Sequence, residues 1–305
     1  MIKVGLAAML LLAGVAQAAG CRLEPAADIA LTMLDRYPMA AAMINGKPAQ
    51  LIYDTGGANT MLTMGAAAKF GLTPTPNPPK ANFTSSGVPL EVAFHHVQSL
   101  EALGTSRNDF DIPVTGEMDV DGNAGQDIMA RDTEIDLARR RARVFTPTDC
   151  TTPAQAHWPD EDKMQVVMIA DRTRIFGTVS VNGVELTALF DTGSPYSALT
   201  ADAAARAGVH PGNPGVTQTH TSHGLNGKVG LDSWVAAFND ITIAGETVEK
   251  PRLEFVLKHN YSADMILGAD FFLAHRVLVS KDQHRLYFQY NGAPLFGSHA
   301  KLIGG

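Results

Sequence analysis

The chain repeats itself. Residues 40–72 align without a gap on residues 177–209, at an offset of 137 positions (191 − 54). Asn45-Gly46 falls on Asn182-Gly183, Asp54-Thr55-Gly56 on Asp191-Thr192-Gly193, and Leu62-Thr63 on Leu199-Thr200. Ala66-Ala67-Ala68 matches Ala203-Ala204-Ala205, and Gly71 matches Gly208. Further on, Thr84-Ser85 and Gly87 coincide with Thr221-Ser222 and Gly224. Solenoid repeats run to roughly 20–50 residues; this period is far longer and has the size of a domain. Two copies of one lobe is the economical reading.

The copies share a local grammar. Residues 39–44 and 178–181 are short strand-like runs, each ended by an Asn-Gly hairpin signal. The return runs, 49–53 and 186–190, are apolar and lead into Asp-Thr-Gly. A short Ala-rich helix should follow, with Thr63 or Thr200 as N-cap and Gly71 or Gly208 just beyond its end. Residues 88–97 and 228–238 read as longer strands. Residues 164–170 open the second copy with an apolar strand that matches 29–33 in the first. Many short strands and few helices predict an all-β architecture. The expected division is a leader over 1–18, a first lobe over 19–145, a linker over 146–163 and a second lobe over 164–305. The linker assignment rests on its three prolines and polar residues.

A single Asp-Thr-Gly is most simply a turn, with Asp accepting local backbone hydrogen bonds and Gly relaxing the dihedrals. Two copies at equivalent places in a repeat mean more. Each follows an apolar strand, which would carry a carboxylate to the inner end of a buried element. Burying an Asp there is unfavourable unless it is paired or hydrogen-bonded. A two-fold arrangement of lobes brings the two carboxyls face to face, where they cannot both ionise easily and share one proton.

On these residues the chain resembles the pepsin/retropepsin family of aspartic peptidases in its single-chain, duplicated form. A second motif adds to the resemblance, an apolar-apolar-Gly stretch that packs behind each active loop in that family. Ile266-Leu267-Gly268 before Ala269-Asp270-Phe271-Phe272 fits it. The first-lobe counterpart is Asn123-Ala124-Gly125 before Gln126-Asp127-Ile128-Met129, where Asn123 departs from the apolar pattern, which implies either looser packing behind Asp54 or a local misalignment of the motif. The resemblance implies two pseudo-two-fold-related barrel-type lobes, closed or partly open, with the active-site cleft between them. It implies an endopeptidase with Asp54 and Asp191 as catalytic pair, a polypeptide substrate and no metal or organic cofactor. Thr55 and Thr192 should bond across the lobe junction, and Gly56 and Gly193 should leave amides free to approach the carboxylates. Ser194, opposite Gly57 in the repeat, is expected to donate its hydroxyl to Asp191. Flap tips are expected near Ser86-Gly87 and Gly224-Gly227. A binding protein that kept the lobes and lost turnover is the alternative.

The rest of the sequence bounds the setting. Lys3, the uncharged apolar run 4–15 and Ala16-Gln17-Ala18 read as an export signal, too short for a comfortable membrane span. The expected location is therefore periplasmic or secreted. The formal net charge of −7 argues against a nucleic-acid partner, since phosphate binding needs clustered Lys and Arg. Cys21 and Cys150 read first as a disulfide across the ends of the first lobe. The second reading is a lipid anchor at Cys21, because Ala18-Ala19-Gly20-Cys21 loosely resembles a lipobox. His95 and His96, adjacent on a strand, face opposite sides and do not share an ion. Both halves of the dyad lie in one chain, so a monomer suffices for the chemistry.

Overall fold

Each lobe begins with the same tight turn. Asn45-Gly46 has φ of 48° and 72°, and Asn182-Gly183 has 50° and 76°. Two consecutive positive φ values make the turn whose twist matches the flanking strands. Tyr37–Ile44 therefore returns as Lys47–Tyr53, and Phe176–Val181 as Val184–Phe190. The computed structural model describes residues 22–85, 88–116, 118–148, 158, 164–167, 174–223, 230–257, 263–281, 283–297 and 300–302. The leader, both cysteines, and Ser86, Gly87, Gly224 and Gly227 of the expected flap tips lie outside the described residues.

In the first lobe six strands close into a barrel. Their order is Tyr37–Ile44, Lys47–Tyr53, Gly122–Ala124, Met61–Leu62, Thr105–Val114 and Ala93–Ala102, and the last pairs back onto the first. The second lobe repeats that order with Phe176–Val181, Val184–Phe190, Met265–Leu267, Ala198–Thr200, Arg252–Val256 and Gly230–Ala237. There Gly230–Ala237 does not pair back onto Phe176–Val181 among the described residues; Asp240–Ile243 lies beside that strand instead and continues to Glu246–Glu249. The helices Met64–Phe70 and Ala201–Arg206 carry the expected caps: Thr63 accepts from Ala66 N–H and Thr200 from Ala203 N–H. Gly71 and Gly208 follow in left-handed backbone, φ 66° and 83°.

A six-stranded sheet joins the lobes. Across it run Met164–Val167, Arg285–Tyr290, His275–Ser280, Asp132–Asp136, Arg141–Thr148 and Arg22–Leu34. The two central strands are antiparallel, with Thr133 opposite Val279 and Asp136 opposite Arg276, as a two-fold axis between them requires. The strands read from sequence as openings of the two lobes thus occupy opposite edges of one sheet. Glu134 is buried at its centre, where Arg143 and Arg276 pair with its carboxylate and Trp158 Nε1 donates to it at 2.9 Å. Burying that charge is tolerable because two guanidiniums and an indole satisfy it.

Two sequence readings change. Residues 88–97 are not one strand: Val88–Leu90 pairs with Phe83–Ser85 in a separate ribbon, and Ala93–Ala102 starts anew in the barrel. A period-two pattern records which face is buried, not which strand lies alongside. The segment read as linker is also partly structural. Arg141–Thr148 runs into it, and Trp158 is buried against Phe145, Leu278 and Tyr287.

Candidate active site

Each Asp-Thr-Gly sits where a barrel strand ends. Asp54 N donates to Ala124 O at 3.1 Å and Asp191 N to Leu267 O at 2.9 Å, so both loops hang on the strand that packs behind them. The loops are then locked to each other. Thr55 N donates to Thr192 Oγ1 at 3.1 Å, and Thr192 N to Thr55 Oγ1 at 2.9 Å. Each hydroxyl donates onward across the junction, Thr55 Oγ1 to Phe190 O at 2.9 Å and Thr192 Oγ1 to Tyr53 O. All four bonds are buried and cross between lobes.

That lock brings the carboxyls together. A Cβ on Gly56 would lie 2.2 Å from Asp191 Cγ, and one on Gly193 would lie 2.4 Å from Asp54 Oδ1. Only glycine leaves room for this approach. The two carboxyls therefore face each other at close range across the junction. Burial pushes Asp54 above the usual carboxylate range, opposed by hydrogen bonds from Asp191, Gly57, Asn123 and Gly56. Burial pushes Asp191 well above that range, and the neighbouring charge of Asp54 pushes the same way. Such a pair holds one proton across much of the acid range and titrates as a unit.

The contacts that support these loops repeat in both lobes. Thr60 donates to Asp127 Oδ1 from its N–H and its hydroxyl, each at 2.7 Å, and Ser197 makes the equivalent contacts with Asp270 at 3.0 and 2.6 Å. Gly125 N reaches Thr60 Oγ1 and Gly268 N reaches Ser197 Oγ. A Cβ on Gly125 would be 2.5 Å from Asn59 C, and one on Gly268 would be 2.6 Å from Tyr196 C. The glycine of the apolar-apolar-Gly motif is therefore a close-approach residue in both copies.

The copies differ where it matters chemically. Ser194 does not donate to Asp191; its hydroxyl closes a local bond to Tyr196 O at 2.8 Å. Pro195 follows it, and a two-residue turn satisfies the hydroxyl before the carboxylate can. Asn123 instead donates Nδ2 to Asp54 Oδ2 at 2.8 Å. Its departure from the apolar pattern thus marks a polar contact and not a misalignment: Asn123 lies opposite Ile52 just as Ile266 lies opposite Leu189. A partly open cavity of about 150 Å³ is lined nearby by Tyr53, Ile128 and Met129. Behind Asp191, Phe271 packs edge-on to Phe190, with 5.4 Å between ring centres. Gln126 Nε2 holds Thr55 O at 2.8 Å, and Lys281 from the second lobe reaches Gln126 Oε1 at 2.6 Å. Half-buried Tyr37 stands near enough to Asp191 for that charge to raise its phenol, although burial is the larger cause. Arg36 stacks on Tyr196 of the other lobe at 4.7 Å. Lys281, Tyr37 and Arg36 carry no mark in the sequence, and Gln126 appears there only as part of the motif after Gly125.

His95 is buried and His96 faces Asp109 and Asp111, on the opposite side of the strand. Among the described residues no three His, Cys, Asp or Glu side chains group to hold a metal ion. No described helix is long and apolar enough to cross a membrane. The family model for aspartyl protease matches residues 40–128 and 177–271, more than half of the chain and one region in each lobe. No curated protein matches the sequence.

Proposed function

This chain belongs to the aspartyl protease family, and on that premise we propose that it is an exported endopeptidase using Asp54 and Asp191. The observation that carries the reading is the close approach of the Asp54 and Asp191 carboxyls, held by the lock between Thr55 and Thr192. One carboxylate takes a proton from water, and that water's oxygen bonds to the peptide carbonyl carbon. The other carboxyl gives its proton to the carbonyl oxygen, producing a neutral diol. The first then protonates the amine nitrogen as the C–N bond breaks, and the second recovers a proton from the diol. The pair ends as it began, with one proton. No covalent intermediate with the protein is needed.

Export and monomeric action complete the reading, on the strength of the leader sequence and the presence of both aspartates in one chain. The test is incubation of purified protein with a denatured protein across acid to neutral pH. Cleavage that pepstatin blocks, and that Asp54→Asn and Asp191→Asn each abolish, is expected. Silence at every pH would favour a peptide-binding protein of the same fold. Isolation of the untruncated leader on the cell's inside would refute export.

A further inference from the structure

The active-site loops depart from the two-fold axis at Gly57, whose amide reaches Asp54 while that of Ser194 reaches the Asp191 carbonyl, and again at Asn123. Its repeat counterpart, Ile266, lies in an apolar cluster with Phe176, Leu189 and Ala263. Asn123 is buried to 4% exposure and aims its amide at Asp54. The orientation of that amide is dictated by its surroundings. Nδ2 faces Asp54 Oδ2 at 2.8 Å and Asn59 O at 3.3 Å, and both are acceptors. Turning the amide over would set oxygen against oxygen twice.

The two carboxyls are therefore unequally supplied. Asp54 Oδ1 accepts from Gly56 N at 3.0 Å and Gly57 N at 2.7 Å, and its Oδ2 accepts from Asn123. Among the described residues Asp191 Oδ1 accepts from Gly193 N at 2.8 Å, and no side-chain amide reaches it. Donors favour the ionised form of the carboxyl they reach, and a buried site screens them little.

Resting on the proposed peptidase reading, we infer that Asn123 is a positioning residue that keeps the charge of the singly ionised pair on Asp54. Asp54 is then the base that takes the proton from water, and Asp191 is the acid that supplies the carbonyl oxygen. After attack the roles reverse: Asp54 gives its acquired proton to the leaving nitrogen, and Asp191 takes one from the diol. The stronger elevation of Asp191 agrees with this order.

The experiment follows the aspartate carboxyl carbons by NMR across pH in the full-length protein, with Asp54→Asn and Asp191→Asn assigning the two signals. Asp54 should carry the first ionisation of the pair and Asp191 the second. Asn123→Leu keeps the branched shape and removes the donor. It should raise the first apparent pKa by about 1, a tenfold change in proton affinity, and spread the first step over both carbons. If Asn123→Leu does not fold, Ile266→Asn should draw charge towards Asp191. Equal sharing in the wild type, or an unmoved first step in the substituted protein, overturns the inference. Because the readout needs no turnover, a protein that titrates as expected but cleaves nothing defeats the peptidase reading alone. With cleavage, the acid limb of kcat/KM should move upward in parallel in Asn123→Leu.

Discussion

Replacing Thr192 by valine tests whether the threonine lock holds the site together. Thr192 is wholly buried, and valine differs from it by a methyl in place of the hydroxyl, so little cavity opens. Two partners lose their bonds, the N–H of Thr55 and the carbonyl of Tyr53. Both remain shielded from water between the lobes. An unsatisfied buried group is destabilising by about 1–3 kcal/mol, so the pair should lower stability by about 2–6 kcal/mol. That is a large share of the roughly 5–15 kcal/mol typical of a folded domain. Urea unfolding followed by tryptophan fluorescence reads the change in the joining sheet and in the second lobe. Trp158 packs into the sheet between lobes, while Trp234 stacks on Phe255 in the second lobe. A midpoint that falls while the slope is unchanged reports lost stability and not a changed unfolded state. Thr75→Val is the control, since Thr75 Oγ1 is buried without a partner and its loss should be neutral or stabilising. Catalysis should suffer as well, because a displacement of about 1 Å at a reacting group can lower the rate on the order of 100-fold. If Thr192→Val unfolds at the same urea concentration as Thr75→Val, the lock is not what joins the loops.

Other outcomes follow from the same contacts. Asp191 has its folded-state pKa raised, so its contribution favours folding at low pH and is lost as pH rises from the unfolded value near 3.8 through the raised one. Asp191→Asn should therefore gain thermal stability over wild type as pH increases above about 4, and a gap in Tm that stays constant with pH would contradict this. Gly193→Ala should remove activity with little change in Tm, because its Cβ meets the movable carboxyl of Asp54 and not backbone; retained turnover would show that the carboxyls are not in close register. Arg22 and Thr148 face each other in the joining sheet. We expect a peptide linking Cys21 to Cys150 in a non-reducing digest of exported protein, and a lipid mass on Cys21 would replace that reading.

Much of the architecture was legible before any coordinates. Asn-Gly pairs force left-handed backbone, threonine and glycine bracket a short helix, and apolar runs must be covered. These are local constraints, and repeating them at a fixed offset implies two lobes with a carboxylate each. The residues that separate the two carboxylates were a different matter. Ser194 looked like the donor because it is next in the chain, yet its hydroxyl is satisfied within two residues. Asn123, 69 positions from Asp54, looked like an error in an apolar motif and is the donor. Gln126, three residues on, and Lys281 and Tyr37 from two further segments also reach the site. Sequence order reports hydrophobic period and turn chemistry because both act between near neighbours. Which amide faces which carboxylate depends on how strands distant in the chain are stacked, and a hydrogen bond is lost within an ångström or so. Only the assembled barrels and the sheet between them decide that.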